Sequence, residues 1–160
     1  MSLQYIIDGY NLLRHPLVSP ASKPSLSPTE NLVLFISRRH LTGSEKNTVV
    51  IVFDGFASNA SVRYPSCYQI LFSQDISADE KIKRLVEVSA MPKRIVVVSD
   101  DREIQSACRV YGVRIESIPV FLKIGEIKHG ARKRSDENEK ANCSDMERIN
   151  RELRKKWGIT

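Results

Sequence analysis

Cysteine and histidine are scarce in this chain, and that scarcity narrows its chemistry first. Three cysteines, Cys67, Cys108 and Cys143, stand among 160 residues. An odd number so widely spaced makes no disulfide framework, and without a CxxC pair there is no zinc signature. Reduced thiols in a cytoplasmic protein are therefore expected. The three histidines, His15, His40 and His129, belong to no paired motif, and each reads as a surface residue. There is no GxSxG, GxxxxGK[ST] or GxGxxG, so neither acyl transfer nor nucleotide cradling has support. No apolar run approaches the roughly 20 residues that cross a bilayer, and no membrane partner is expected. The opening residues place no basic side chain ahead of their apolar ones and do not read as a secretion signal.

What is present fits one globular core. The hydrophobic fraction is 41% and the charged fraction 28%, both ordinary for a water-exposed domain of this length. Charge is uneven along the chain. Residues 1–80 carry 6 basic and 7 acidic side chains, whereas residues 81–160 carry 19 and 12. The basic second half suits a polyanionic partner, because each phosphate contact releases counterions; a merely basic surface fits the charge equally well.

Short, mostly apolar segments recur as strands: Gln4–Ile7, Thr48–Phe53, Tyr68–Phe72, Ile95–Val98 and Val113–Ile115. Between them, Thr29 is placed to cap a helix over about 30–41, and Ser77 opens another in which Ile82, Leu85 and Val86 share a face. A third helix over about 102–111 ends at Gly112, and Ser117 starts a further helical turn. Residues 17–28 are rich in proline and serine and read as a loop. Strands apolar on both faces, alternating with helices, predict a mostly parallel sheet covered on each side, a three-layer α/β/α sandwich.

Residues 125–143 are different, with mixed charge, few large apolar side chains and the basic run Arg132-Lys133-Arg134; they read as a charged linker. Beyond them Ser144 and Glu147 have capping-box spacing, and Met146, Ile149, Leu153 and Trp157 recur at helical intervals. An amphipathic basic helix over 144–160 is expected. Packing on the domain is favoured for it over contact with nucleic acid, since Trp157 needs apolar cover.

The chemistry lies in the acids. Asp8, Asp54, Asp100 and Asp101 each follow an apolar strand, and Asp79 sits in the first turn of a helix after the third. In a parallel sheet these strand ends share one edge. Gathered carboxylates repel one another unless a cation neutralises them, and hard oxygen donors suit Mg²⁺ or Mn²⁺. The reaction that follows is phosphodiester hydrolysis by metal-activated water. Each acid also has a plainer role. Asp54-Gly55 is an ordinary turn, Asp101 is placed to cap the following helix, and Ser77 with Glu80 has capping-box spacing.

Four motifs occur in order: Tyr5-Ile6-Ile7-Asp8-Gly9-Tyr10-Asn11, Val52-Phe53-Asp54-Gly55, Ser77-Ala78-Asp79-Glu80 and Val98-Ser99-Asp100-Asp101-Arg102-Glu103-Ile104. Together they resemble the YacP-like branch of the NYN domain family, nucleases related to PIN domains, over about residues 3–123. The resemblance implies a PIN-like sandwich over residues 1–124 and a Mg²⁺- or Mn²⁺-dependent endoribonuclease of single-stranded RNA. It matches Asp8 with its polar companion Asn11, Asp54, Asp79 and Asp101 to the family's site. With Asp100 added from the strand-end pattern, the candidate metal ligands are Asp8, Asp54, Asp79, Asp100 and Asp101. The candidate catalytic acids are Asp8, Asp79, Asp100 and Asp101, while Glu80, favoured as a cap, is polar support beside Asn11. The family's fourth motif carries serine where this chain has Asp100, so the principal acid there falls at Asp101, with the division between the two open. Arg132, Lys133 and Arg134 are candidate RNA contacts, and the translation machinery is a candidate partner. The competing reading is a non-catalytic RNA-binding module of the same fold; a receiver or dehalogenase domain fits poorly, because Asp8 stands alone after its strand.

Overall fold

The computed structural model describes residues 1–18, 24–57 and 62–124. These fall within one compact unit, Met1–Gly125. The charged linker, Arg132, Lys133, Arg134 and the helix expected over 144–160 lie outside the described residues.

The described elements run β1 (Gln4–Asp8), α1 (Gly9–Arg14), α2 (Pro28–Arg38), β2 (Thr48–Phe53), β3 (Tyr68–Phe72), α3 (Ala78–Glu87), β4 (Ile95–Val98), α4 (Arg102–Arg109) and β5 (Arg114–Glu116). Residues 118–124 are also helical, with the Phe121 amide bonded back to the Ser117 carbonyl at 3.0 Å. The sheet is parallel throughout, in the order β3-β2-β1-β4-β5. β1 is central, and the chain's progression across the sheet reverses between β1 and β4.

Strand alternation divides the core in two. Tyr5, Ile7, Val49, Ile51, Phe53, Val96 and Val98 pack on one face against Leu12, Leu32, Ile36 and Phe121. Their neighbours Ile6, Val50, Val52, Ile95 and Val97 pack on the other against Ala78, Ile82, Val86, Ile104 and Cys108. Because both faces are covered, the inner strands read as continuous apolar runs. Each such aliphatic side chain contributes about 1.5–3 kcal/mol by leaving water.

Two helices differ from the sequence reading. α1 was not expected; at six residues it is too short to display a helical period. α2 starts earlier, because Ser27 rather than Thr29 is its cap: Ser27 Oγ accepts from the Glu30 amide while Glu30 Oε2 accepts from the Ser27 amide. Pro28 then occupies the first turn, where its missing N–H costs nothing. α2 also ends earlier, at Arg38, and His40 takes a left-handed φ of 49°. Among the described residues no helix is long and apolar enough to cross a membrane.

Candidate active site

In open parallel sheets, ligands bind beyond the C-terminal strand ends where the strand order reverses. Here that place lies between β1 and β4. Asp8 ends β1, and Ser99-Asp100-Asp101 follows β4.

Asp8 caps α1, its Oδ1 accepting the Asn11 amide at 3.2 Å. It is 7% exposed. Burial pushes its carboxyl above the ordinary range; the Asn11 amide opposes this, and Asp79, Asp54 and Asp101 reinforce it. Asp79, in the first turn of α3, is raised by burial and then by Asp101, with Asp54 and Glu103 adding and Lys83 opposing. Lys83 is occupied elsewhere, its Nζ lying 2.7 Å from Glu103 Oε1. Asp8, Asp54, Asp79 and Asp101, carried by four separate segments, therefore share one electrostatic field.

Two of these acids also perform the plainer roles the sequence allowed. Asp54 Oδ1 accepts the Ala78 amide at 2.6 Å and the Ser73 hydroxyl at 3.5 Å, which ties the end of β2 to the start of α3. Asp101 caps α4, its Oδ1 accepting from the Glu103 amide at 2.7 Å and the Ile104 amide at 3.4 Å. In each case it is Oδ1 that serves the backbone. Helix N-termini at α3 and α4 carry partial positive charge, which favours carboxylates there.

Asp100 is placed differently from Asp101. Its Oδ1 accepts the Ile118 amide at 2.8 Å, and its Oδ2 lies 3.4 Å from His15 Nε2. The acids that raise Asp8 and Asp79 most are Asp54, Asp79 and Asp101 for the first and Asp101, Asp54 and Glu103 for the second. Glu80 does not close a capping box: its Oε1 pairs with Arg84 Nε at 3.2 Å, whereas Ser77 Oγ does accept the Glu80 amide at 3.1 Å. Replacing Ser77 by Ala should thus cost about 1 kcal/mol of stability. Thermal melting checks this, and an unchanged midpoint would remove the cap from the account.

Three contributors were not anticipated. Ser99, fully buried, accepts from Asn11 Nδ2 at 3.3 Å and from the Asp101 amide at 3.1 Å, and so couples α1 to the end of β4. Its carbonyl is held by Gln105 Nε2 at 2.7 Å. Arg14 and His15 line a cleft of about 430 Å³ together with Asp8, Tyr10, Asn11 and Asp54. His15 is therefore not a free surface residue; its Nδ1 accepts the Leu17 amide at 3.2 Å, leaving Nε2 toward Asp100. Arg14 and His15 stand three and four residues after Asn11, a spacing that shares a face only on a helix.

Among the described residues, no three His, Cys, Asp or Glu side chains stand close enough together to hold one ion as placed. The donors are nonetheless of one kind, carboxylate oxygens, and for Asp8 and Asp79 burial and the neighbouring acids make the charged form costly. Carbonyl-like and carboxylate oxygens are the donors that hard divalent cations take.

Two comparisons bear on this arrangement. The YacP-like NYN domain profile matches residues 5–158, nearly the whole chain. The chain belongs to the YacP-like NYN domain family. This is a family of PIN-like, RNA-directed nucleases. The match passes well beyond residue 123, where the resemblance read from the four motifs stops, so the C-terminal segment belongs to the family pattern too. A crystal structure of Rae1 (YacP) from Bacillus subtilis superposes with a TM-score of 0.60 at 21% identity, over 98% of this chain and 94% of that one. A tryptophan-to-leucine mutant of the same protein gives 0.62 at 21% identity, over 88% and 85%. At this identity the likeness is one of fold. No curated protein sequence matches the chain.

Proposed function

We propose that this NYN domain is a Mg²⁺- or Mn²⁺-dependent endoribonuclease that hydrolyses single-stranded RNA in the cytoplasm. One observation carries the reading: acids from four separate segments lie about the C-terminal strand ends, where burial first and the neighbouring carboxylates second raise Asp8 and Asp79 above the ordinary carboxylate range. Such an arrangement is unfavourable by itself and is relieved by a bound cation. A module that only binds RNA has no use for it, since phosphate contacts call for positive charge.

Asp8, Asp54, Asp79 and Asp101 are the proposed ligands. When bound, the cation neutralises the acids and lowers the pKa of water for attack on phosphorus. The remaining work belongs to the chain. Burial fixes Asp8 at the end of β1. Ser99 sets the spacing between Asn11 and Asp101. Arg14, on the wall of the cleft, is placed to hold a phosphodiester oxygen. Asp100 braces the loop before the 118–124 helix and orients His15.

The test is incubation of the full chain with end-labelled unstructured and hairpin RNAs, with Mg²⁺, Mn²⁺ or EDTA. Internal cleavage of the unstructured strand, 5′-phosphate and 3′-hydroxyl ends, and loss of activity in EDTA are expected. Full activity in EDTA, or 2′,3′-cyclic phosphate ends, would overturn the reading. Tight binding without cleavage under any metal would favour the binding module.

A further inference from the structure

Beside the acid cleft lies a second depression of about 460 Å³, and its walls are of another kind. Tyr10, Leu13, Phe56, Tyr64, Ile70 and Phe72 are among the residues that line it. Phe56 is 70% exposed, although it is a large apolar side chain in a short loop after β2. The other aromatics of the depression are ordered. Phe53 stacks on Phe72 with centroids 5.9 Å apart, and Tyr10 meets Phe53 edge-on at 5.2 Å. Packed aromatics sharing a depression with one exposed ring offer a surface for another flat ring.

Tyr10 lines both depressions, so the aromatic groove begins where the acid cleft ends. At the junction the Arg14 guanidinium sits 5.4 Å from the Tyr10 ring centroid. From one side to the other the surface thus offers carboxylates, a cation and then stacked aromatics. That order matches one nucleotide step of a single strand, with the scissile phosphodiester at the acids, a phosphate near Arg14 and a base on the rings. A duplex cannot present its bases this way, because they are already stacked and paired. The rim carries acceptors for a base edge. Glu30 lies there with its Oε2 accepting the Ser27 amide.

We infer that this groove is a nucleobase subsite, in which one unpaired base of the RNA next to the cleaved bond stacks on Phe56 and Tyr64. The inference rests on the ribonuclease reading and names how that site would select unpaired strands. Aromatic stacking tolerates any base, so it selects single-strandedness more than sequence.

The test uses the full chain and a short unstructured oligoribonucleotide with 2-aminopurine at one internal position. A matched strand is abasic there, and a series moves the position along the strand. Binding is measured in EDTA, and cleavage is followed separately in Mn²⁺. At one register, the wild-type chain should bind the base-bearing strand about tenfold more tightly than the abasic one and quench its fluorescence. Phe56→Ala should erase both effects, and Tyr64→Ala should reduce them. Phe56 is largely exposed, so its removal should leave thermal melting unchanged. If Phe56→Ala binds the base-bearing strand as tightly as wild type, or no register shows base dependence, the subsite is overturned, whether or not RNA is cleaved. Base-dependent binding that Phe56→Ala abolishes, with no cleavage in any metal, sustains the subsite and overturns the ribonuclease reading alone.

Discussion

Replacing Asp79 by Asn is expected to lower RNA cleavage at least about 100-fold while leaving the metal-free fold as stable as wild type or slightly more so. The two effects have one cause. Asp79 is held above the ordinary carboxylate range by burial and by Asp101, with smaller contributions from Asp54 and Glu103. In the folded chain it therefore keeps its proton to higher pH than in the unfolded chain, where it titrates near 3.8. Between those two values the folded state binds more protons, and stability contributed by this group falls as pH rises. Above the raised value the penalty of the ionised form is fully present. Asp8 behaves the same way, for burial first and its acidic neighbours second. Metal-free wild type should thus gain stability from these two groups as pH falls from neutral towards the ordinary carboxylate range, opposite to the usual salt-bridged acid. Asp79→Asn should reduce that gain. Adding Mn²⁺ should raise the melting temperature of wild type and raise that of the variant less, because a ligand stabilises only the state that binds it. The measurement is thermal melting across pH with and without Mn²⁺, alongside cleavage. A variant that melts lower without metal yet still cuts RNA would take Asp79 out of the site.

The second large effect is expected at a residue that bears no functional group. Gly9 opens α1 immediately after Asp8, and a methyl placed there would lie 2.5 Å from Phe53 Cε1 and 2.7 Å from two further ring carbons. No real side chain tolerates that approach, so either the ring or the helix must move. The ring has little freedom, being 1% exposed and held between Phe72 and Tyr10. Gly9→Ala should therefore displace α1, at a cost of about 1–3 kcal/mol, or several degrees in melting temperature for a chain of this length. Because α1 carries Tyr10, Asn11 and Arg14 into the cleft, activity should fall as well. Shortening the ring in the double variant Gly9→Ala with Phe53→Leu should recover part of the stability. Wild-type melting for Gly9→Ala alone would show that close packing is not why glycine stands there.

Much of the architecture could be read from local pattern. Thr48–Phe53, Tyr68–Phe72 and Ile95–Val98 coincide with the observed strands, because apolar runs of that length with β-branched residues have few other fates. Ser77 as the cap of α3 was legible for the same reason, since a cap is satisfied within its own turn. That acids following parallel strands lie along one edge also follows from the period of the chain.

What remained hidden depends on contacts distant in sequence. Asp100 and Asp101 are chemically identical neighbours, and nothing local separates them. The Ile118 amide, 18 residues on, engages Asp100, while the amides of α4 and the field of Asp8 and Asp79 engage Asp101. Ser99 meets Asn11 across 88 positions, because β1 and β4 are neighbours in the sheet. Gly9 is required by Phe53, brought beside it by the pairing of β1 with β2. Strand order is set by how the whole hydrophobic surface is best covered, a property of the entire chain. Periodicity, caps and turns report energies within a few residues, and they carry no information about which distant strand becomes the neighbour.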